Sequence, residues 1–166
     1  MKFPFTPWVI AESVVDLHPD FFRKMGIRLV MLDFDNTVVP YTTDVPTKEV
    51  EQWLSQMQAS EVKICVVSNS HNLRVKNFCQ MREIPCITGA KKPFAKGISE
   101  CLRKFNISPK ECALVGDQIY TDVLGANCTG VHSVLVRSIH NHTIWLKLRH
   151  IAELPFIAAA KSKRLK

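Results

Sequence analysis

The sequence predicts an α/β fold: one parallel sheet of about five strands with helices on both faces. From Arg28 onward, short apolar runs rich in β-branched residues alternate with segments of helical period, the pattern of strands joined by crossover helices. The apolar runs also end, one after another, in polar residues, as strands do when their carboxyl ends face a binding crevice.

The elements follow in order. His18-Pro19 opens a short helix that Gly26 ends, proline suiting the first turn and glycine the stop. The strands are RLVMLDF (28–34), VKICVVS (62–68), PCITG (85–89), CALVGD (112–117) and VHSVLV (131–136). Behind a capping Thr47, Val50, Trp53, Leu54 and Met57 fall at helical spacing, as do Ile98, Cys101, Leu102 and Phe105. Val75, Phe78 and Cys79 mark another helix, Tyr120 to Cys128 a short one, and His142 to Ala152 the last. The opening MKFPFTPWVI has no assigned element. Its aromatic residues either pack over the sheet or meet a membrane interface, packing being favoured.

The chain has 166 residues, 46% of them hydrophobic, which supports one well-buried domain. The expected division is a core at about 28–136 with extensions at 1–27 and 137–166. No apolar run reaches the roughly 20 residues of a membrane span, and the start lacks a signal-peptide pattern, so a cytoplasmic protein is expected. Six scattered cysteines without a C-x-x-C pair indicate neither zinc nor a disulfide framework. His140-Asn141-His142 lacks a third ligand at metal spacing and reads as a polar loop. The net charge of +7 is concentrated at the end, where six Lys or Arg follow from Lys147 against the single Glu153. A solvated tail is the simple reading of KSKRLK; attraction to anionic lipid or RNA is the sharper one.

The chemistry gathers at the strand ends. The first strand ends in Asp33-Phe-Asp35-Asn-Thr37, the second in Ser68-Asn69 and the fourth in Gly116-Asp117, while Lys91-Lys92-Pro93 follows the third. If the first strand continues to Asp35, residues 33 and 35 share a face and their carboxylates are neighbours. Such a pair holds a proton or attracts a cation. With Asp117 it forms a set of hard oxygen donors suited to Mg²⁺, too few to enclose it, so water and a substrate phosphate would complete the shell. D-x-D-x-T alone is weak; its order with V-V-S-N, K-K-P and V-G-D-x-x-x-x-D carries the argument.

Those four elements, LDFDNT (32–37), VVSNS (66–70), KKPFAKGI (91–98) and VGDQIYTD (115–122), resemble the motifs of haloacid dehalogenase-like (HAD) phosphohydrolases. The closest likeness is to subfamily IIIA members of YqeG type, related to phosphatidylglycerophosphate phosphatases. The resemblance implies a Rossmann-like three-layer sandwich with the first strand central. It also implies that Asp33 is a nucleophile forming an aspartyl-phosphate and Asp35 the general acid and base. Mg²⁺ would be held by Asp33, Asp117 and the backbone carbonyl of Asp35, and the substrate phosphate by Ser68, the Asn69 backbone and Lys92. Lys91 stays open as the alternative lysine. Asp122 would orient Asp117 or a metal-bound water, or serve only as an early-helix carboxylate. Thr37 would fix the turn, and His71 could reach the rim.

Between these motifs the chain has no room for a cap domain. An open crevice favours a phosphate displayed on something large, and the leading expectation is a phosphatidylglycerophosphate phosphatase touching an anionic membrane. The alternatives are a phosphatase of soluble sugar or nucleotide phosphates, and a non-catalytic module binding RNA or protein. Nucleic acid is the less favoured partner, and the sequence leaves the oligomeric state open.

Overall fold

The computed structural model describes residues 4–139. The expected last helix, His140-Asn141-His142 and the KSKRLK ending lie outside the described residues.

Six parallel strands form the sheet: β1 (Val9–Ala11), β2 (Leu29–Leu32), β3 (Lys63–Val67), β4 (Cys86–Ile87), β5 (Cys112–Gly116) and β6 (His132–Val136), in the order β1-β6-β5-β2-β3-β4. Each of the five expected strands is present, with ends trimmed by one or two residues. The sixth, β1, comes from the opening segment, whose Val9, Ile10 and Ala11 pair with Val134, Leu135 and Val136. Three residues are too few to show a strand period, and only β6 supplies the partner.

Alternating side chains of the buried strands face two cores. Val30, Leu32, Val66 and Val115 meet α1 (Pro19–Lys24), α2 (Lys48–Ala59) and α3 (Leu73–Met81) on one face. Leu29, Met31, Cys65 and Leu114 meet α4 (Ala95–Phe105) and α5 (Leu124–Thr129) on the other. This is the three-layer Rossmann-like sandwich. Four of the cysteines, Cys65, Cys79, Cys101 and Cys112, serve in it as small buried hydrophobes.

Local signals set the helix ends. Thr47 caps α2 by accepting from the Val50 N–H, and Val50, Trp53, Leu54 and Met57 are its buried side, as their spacing predicts. Gly26, at φ 73°, follows the short α1. A π-helical turn, Ile119–Val123, precedes α5, where the sequence indicates one continuous helix from Tyr120.

Strand order places the site. β2 pairs with β3 on one side and β5 on the other, so the chain's connections diverge there and leave a crevice beyond the carboxyl ends of these strands. Among the described residues the loop between β2 and α2 forms one wall of it, through Asp35, Asn36 and Tyr41. None of the described helices is long and apolar enough to cross a membrane.

Trp53 ties this frame to the N-terminal segment: it is buried, and its indole N–H donates to the Leu17 carbonyl at 2.8 Å. Trp53→Ala should lower unfolding free energy by about 3–5 kcal/mol, read from urea denaturation. Activity per folded molecule should persist, since Trp53 is remote from the crevice.

Candidate active site

β2 ends at Leu32, but one ladder bond continues, from the Asp33 N–H to the Val115 carbonyl at 2.9 Å. The chain then turns. Asn36 adopts a left-handed conformation at φ 61°, its amide oxygen accepts from the Tyr41 N–H, and its own N–H donates to the Val39 carbonyl. Asparagine tolerates this conformation better than most residues. The strand therefore does not run on to Asp35, and the shared-face argument fails: the two carboxylates line one cleft but turn to different partners.

Asp33 turns to Lys92. The buried Lys92 ammonium lies 2.7 Å from Asp33 Oδ1 and 2.7 Å from Asp122 Oδ1. Burial opposes its charge, but Asp122 and Asp33 outweigh that effect and hold its pKa above the ordinary lysine value. Lys91 is exposed, which decides between the adjacent lysines. Asn69 sets the backbone here: its side-chain oxygen accepts from the Lys92 N–H at 2.7 Å and its NH₂ donates to the Lys92 carbonyl at 2.9 Å. Ser68 is buried, and its hydroxyl accepts from the Ser70 N–H.

Asp117 follows β5 and Asp122 lies in the π-helical turn, so both return to Asp33. Oxygens of Asp33, Asp117 and Asp122 lie within 4.8 Å of one another, all three residues buried. Gly116 permits this, because a Cβ there would fall 2.3 Å from the Asp122 carboxylate. The Thr37 hydroxyl sits 3.5 Å from both Asp33 and Asp117, at the limit of hydrogen bonding, joining the turn to the cluster. Desolvation, then the charges of Asp33 and Asp122, push the Asp117 carboxyl well above its usual range. Burial likewise lifts Asp122 to about 6 despite Lys92. One lysine pairs with two of the three carboxylates, Asp33 and Asp122, so the cluster lacks positive charge. Hard oxygen donors in that state fit a divalent cation.

Asp35 turns instead to Arg74, on the first turn of α3. The guanidinium pairs with the Asp35 carboxylate, donates to the Pro40 and Thr43 carbonyls, and lies over the Phe34 and Tyr41 rings at 5.0 and 5.7 Å. Arg74 thus binds the β2–α2 loop to α3 and fixes the Asp35 side chain. Sequence reasoning missed it. The available signal was its place: a cation in a helix's first turn opposes the macrodipole and calls for an anionic partner. His71 is exposed, with its ring against Gly89. The cleft, of about 360 Å³, is lined by Asp33, Asp35, Tyr41, Ser68, Lys92 and Thr121 among others.

The family described as "Mitochondrial PGP phosphatase" matches residues 4–139. The chain belongs to this phosphatase family. Bacillus subtilis "Probable phosphatase YqeG" is 31% identical over 132 residues, covering 80% of this chain and 77% of the relative. The mitochondrial phosphatidylglycerophosphatase of Saccharomyces cerevisiae is 29% identical over 127 residues, 68% of each chain. The cobalt-bound deoxy-D-mannose-octulosonate 8-phosphate phosphatase of Haemophilus influenzae superposes with a TM-score of 0.55 at 9% identity, covering 82% of this chain and 91% of that one. That last likeness concerns the fold. As a member of this phosphatase family the chain is a phosphoric monoester hydrolase, and its acidic cluster is compatible with a divalent metal.

A carboxyl whose folded pKa exceeds its unfolded value contributes stability at low pH that is lost as pH rises through the folded pKa. Because its proton affinity is raised on folding, Asp117 costs the metal-free protein stability as pH rises above the ordinary carboxylate range. Asp117→Asn should raise the metal-free melting temperature there, by about 2–4 °C per kcal/mol relieved, and abolish any further rise on adding Mg²⁺. Thermal melts in chelator and in Mg²⁺ check both effects.

Proposed function

We propose that the protein hydrolyses the phosphomonoester of a lipid headgroup, phosphatidylglycerophosphate, through an aspartyl-phosphate, working as one phosphatase domain. One observation carries the mechanism: Asp33 stands in the cleft wall with a buried lysine at 2.7 Å and two further carboxylates beside it. Lys92 holds one Asp33 oxygen and orients the carboxylate for attack on phosphorus. When phosphate is bound, the same ammonium and the Ser68 hydroxyl face its oxygens, with the Asn69 backbone as a further donor. Asp35, positioned by Arg74 across the cleft, protonates the leaving alkoxide and then takes a proton from the water that hydrolyses the phosphoenzyme. Thr37 and Asp122 support this arrangement, Asp122 by pairing with Lys92.

Asp33, Asp117 and the backbone carbonyl of Asp35 would hold Mg²⁺, with Asp122 beside them. The ion, when bound, neutralises charge on the phosphate oxygens.

The lipid assignment is supported by the uncovered cleft, the family's description and the yeast relative. The sequence reading expects the cytosol, whereas the family description and that relative name the mitochondrion. A peripheral position on the membrane carrying the lipid suits either compartment.

Purified full-length protein with Mg²⁺ should release phosphate from phosphatidylglycerophosphate in mixed micelles with kcat/KM at least about tenfold above soluble sugar and nucleotide phosphates, a difference of roughly 1.4 kcal/mol in transition-state binding. Faster turnover of a soluble ester would overturn the lipid reading. Asp33→Asn should lower kcat by about 10³-fold or more with an unchanged circular dichroism spectrum. Retained turnover would exclude Asp33 as nucleophile.

A further inference from the structure

Large apolar side chains are exposed at seven described positions, and their distribution is uneven. Met25 ends α1 just before β2, and Met81 ends α3 before β4, at the amino end of the sheet. The other five, Tyr41, Val45, Leu73, Phe94 and Ile139, all follow the carboxyl ends of strands. They come from four separate connections around one opening. Tyr41 lines the cleft, and Thr43, two residues before Val45, is bonded to Arg74 beside Leu73. Phe94 donates its N–H to the Lys91 carbonyl next to Lys92, and Ile139 donates its own to Asn36. Leu73 and Phe94 are 69% and 73% exposed.

Charge accompanies this ring. The stretches 68–78 and 89–99, which follow β3 and β4, contain Arg74, Lys76, Lys91, Lys92 and Lys96 and no acidic residue. Lys76, Lys91 and Lys96 are exposed. Apolar tips among lysines suit the boundary between acyl chains and anionic headgroups.

The described N-terminal aromatic residues, Phe5 and Trp8, are occupied otherwise. Trp8 packs against Phe21 and His132, with ring centroids 6.1 and 4.3 Å apart, and Phe5 meets Tyr120 edge-on at 5.7 Å. Among the described residues, exposed large apolar side chains are concentrated at the rim of the cleft.

We propose that this rim docks on an anionic lipid bilayer, with Val45, Leu73 and Phe94 entering the interface and Lys91 and Lys96 meeting the headgroups. The proposal deepens the lipid-phosphatase reading and rests on it. Docking in this orientation faces the cleft toward the membrane, so a headgroup phosphate can reach Asp33 while its acyl chains stay in the bilayer. It also covers an opening that the described residues leave open.

Full-length protein is sedimented with phosphatidylcholine vesicles, with and without phosphatidylglycerol, in the absence of substrate. Wild type should bind the anionic vesicles, less so at high salt. Leu73→Ser/Phe94→Ser should weaken that partitioning by about tenfold or more while hydrolysing soluble p-nitrophenyl phosphate at the wild-type rate. Met25→Ser/Met81→Ser, which removes apolar surface from the opposite end, should bind as wild type. Equal binding by the rim variant would overturn the proposal, as would the absence of wild-type binding. A wild-type dimer that the rim variant dissolves would also overturn it, making the ring a contact between copies. Hydrolysis of phosphatidylglycerophosphate in detergent micelles, measured on the same proteins, reports the substrate reading separately because it needs no vesicle docking.

Discussion

The site depends on one buried ammonium. Lys92 arrives on the loop after β4, the edge strand, yet its nitrogen reaches Asp33 at the centre of the sheet and Asp122 beyond β5. A lysine removed from water is costly unless paired and hydrogen-bonded. Two carboxylates at 2.7 Å meet that demand, and Asn69 fixes the backbone from which the lysine extends. The interaction joins three strand-end loops that share no sequence neighbourhood. It thereby fixes the orientation of the carboxylate on which the proposed chemistry turns.

That solution leaves an electrostatic debt in the same place. Three buried carboxylates face one lysine, and the excess appears as the raised proton affinities of Asp117 and Asp122. A structural ion-pair network would be expected to balance its charges. An unbalanced one, opened toward a cleft at the point where strand connections diverge, suits the proposed site, where a bound cation and phosphate would offset the stability lost. Gly116 belongs to the same design, since its missing side chain is what lets Asp122 approach.

The cleft's surroundings extend this logic outward. Arg74 ties the β2–α2 loop down and holds Asp35 at the wall, so the loop forms one side of the opening and not a cover over it. The apolar tips around the opening are costly in water and are confined mostly to the end of the sheet where substrate must enter. Open cleft, basic loops and apolar rim make sense together if a lipid surface is the missing wall.

Much of this was legible in the chain itself. Alternating strand and helix periods predict the sheet and its faces, because side-chain burial obeys local geometry. Asp33, Ser68 and Asp117 stand out because each ends an apolar run and Lys92 because it lies on the loop just beyond one, and parallel topology brings such ends together whatever the details. The β2 turn was less legible: a left-handed Asn36 ends the strand early and sends Asp33 and Asp35 to different partners, which two-residue periodicity does not reveal. Strand β1 was hidden because three residues become a strand only beside β6. Lys92 over Lys91, and Arg74 with Asp35, are pairings across 59 and 39 residues, set by packing between loops with no periodic trace. The sequence by itself determined the fold and the cast of chemical groups, since both follow from local pattern and strand-end placement. Only tertiary structure decided which group faces which, because a buried charge takes its partner from whatever the fold brings within hydrogen-bonding reach.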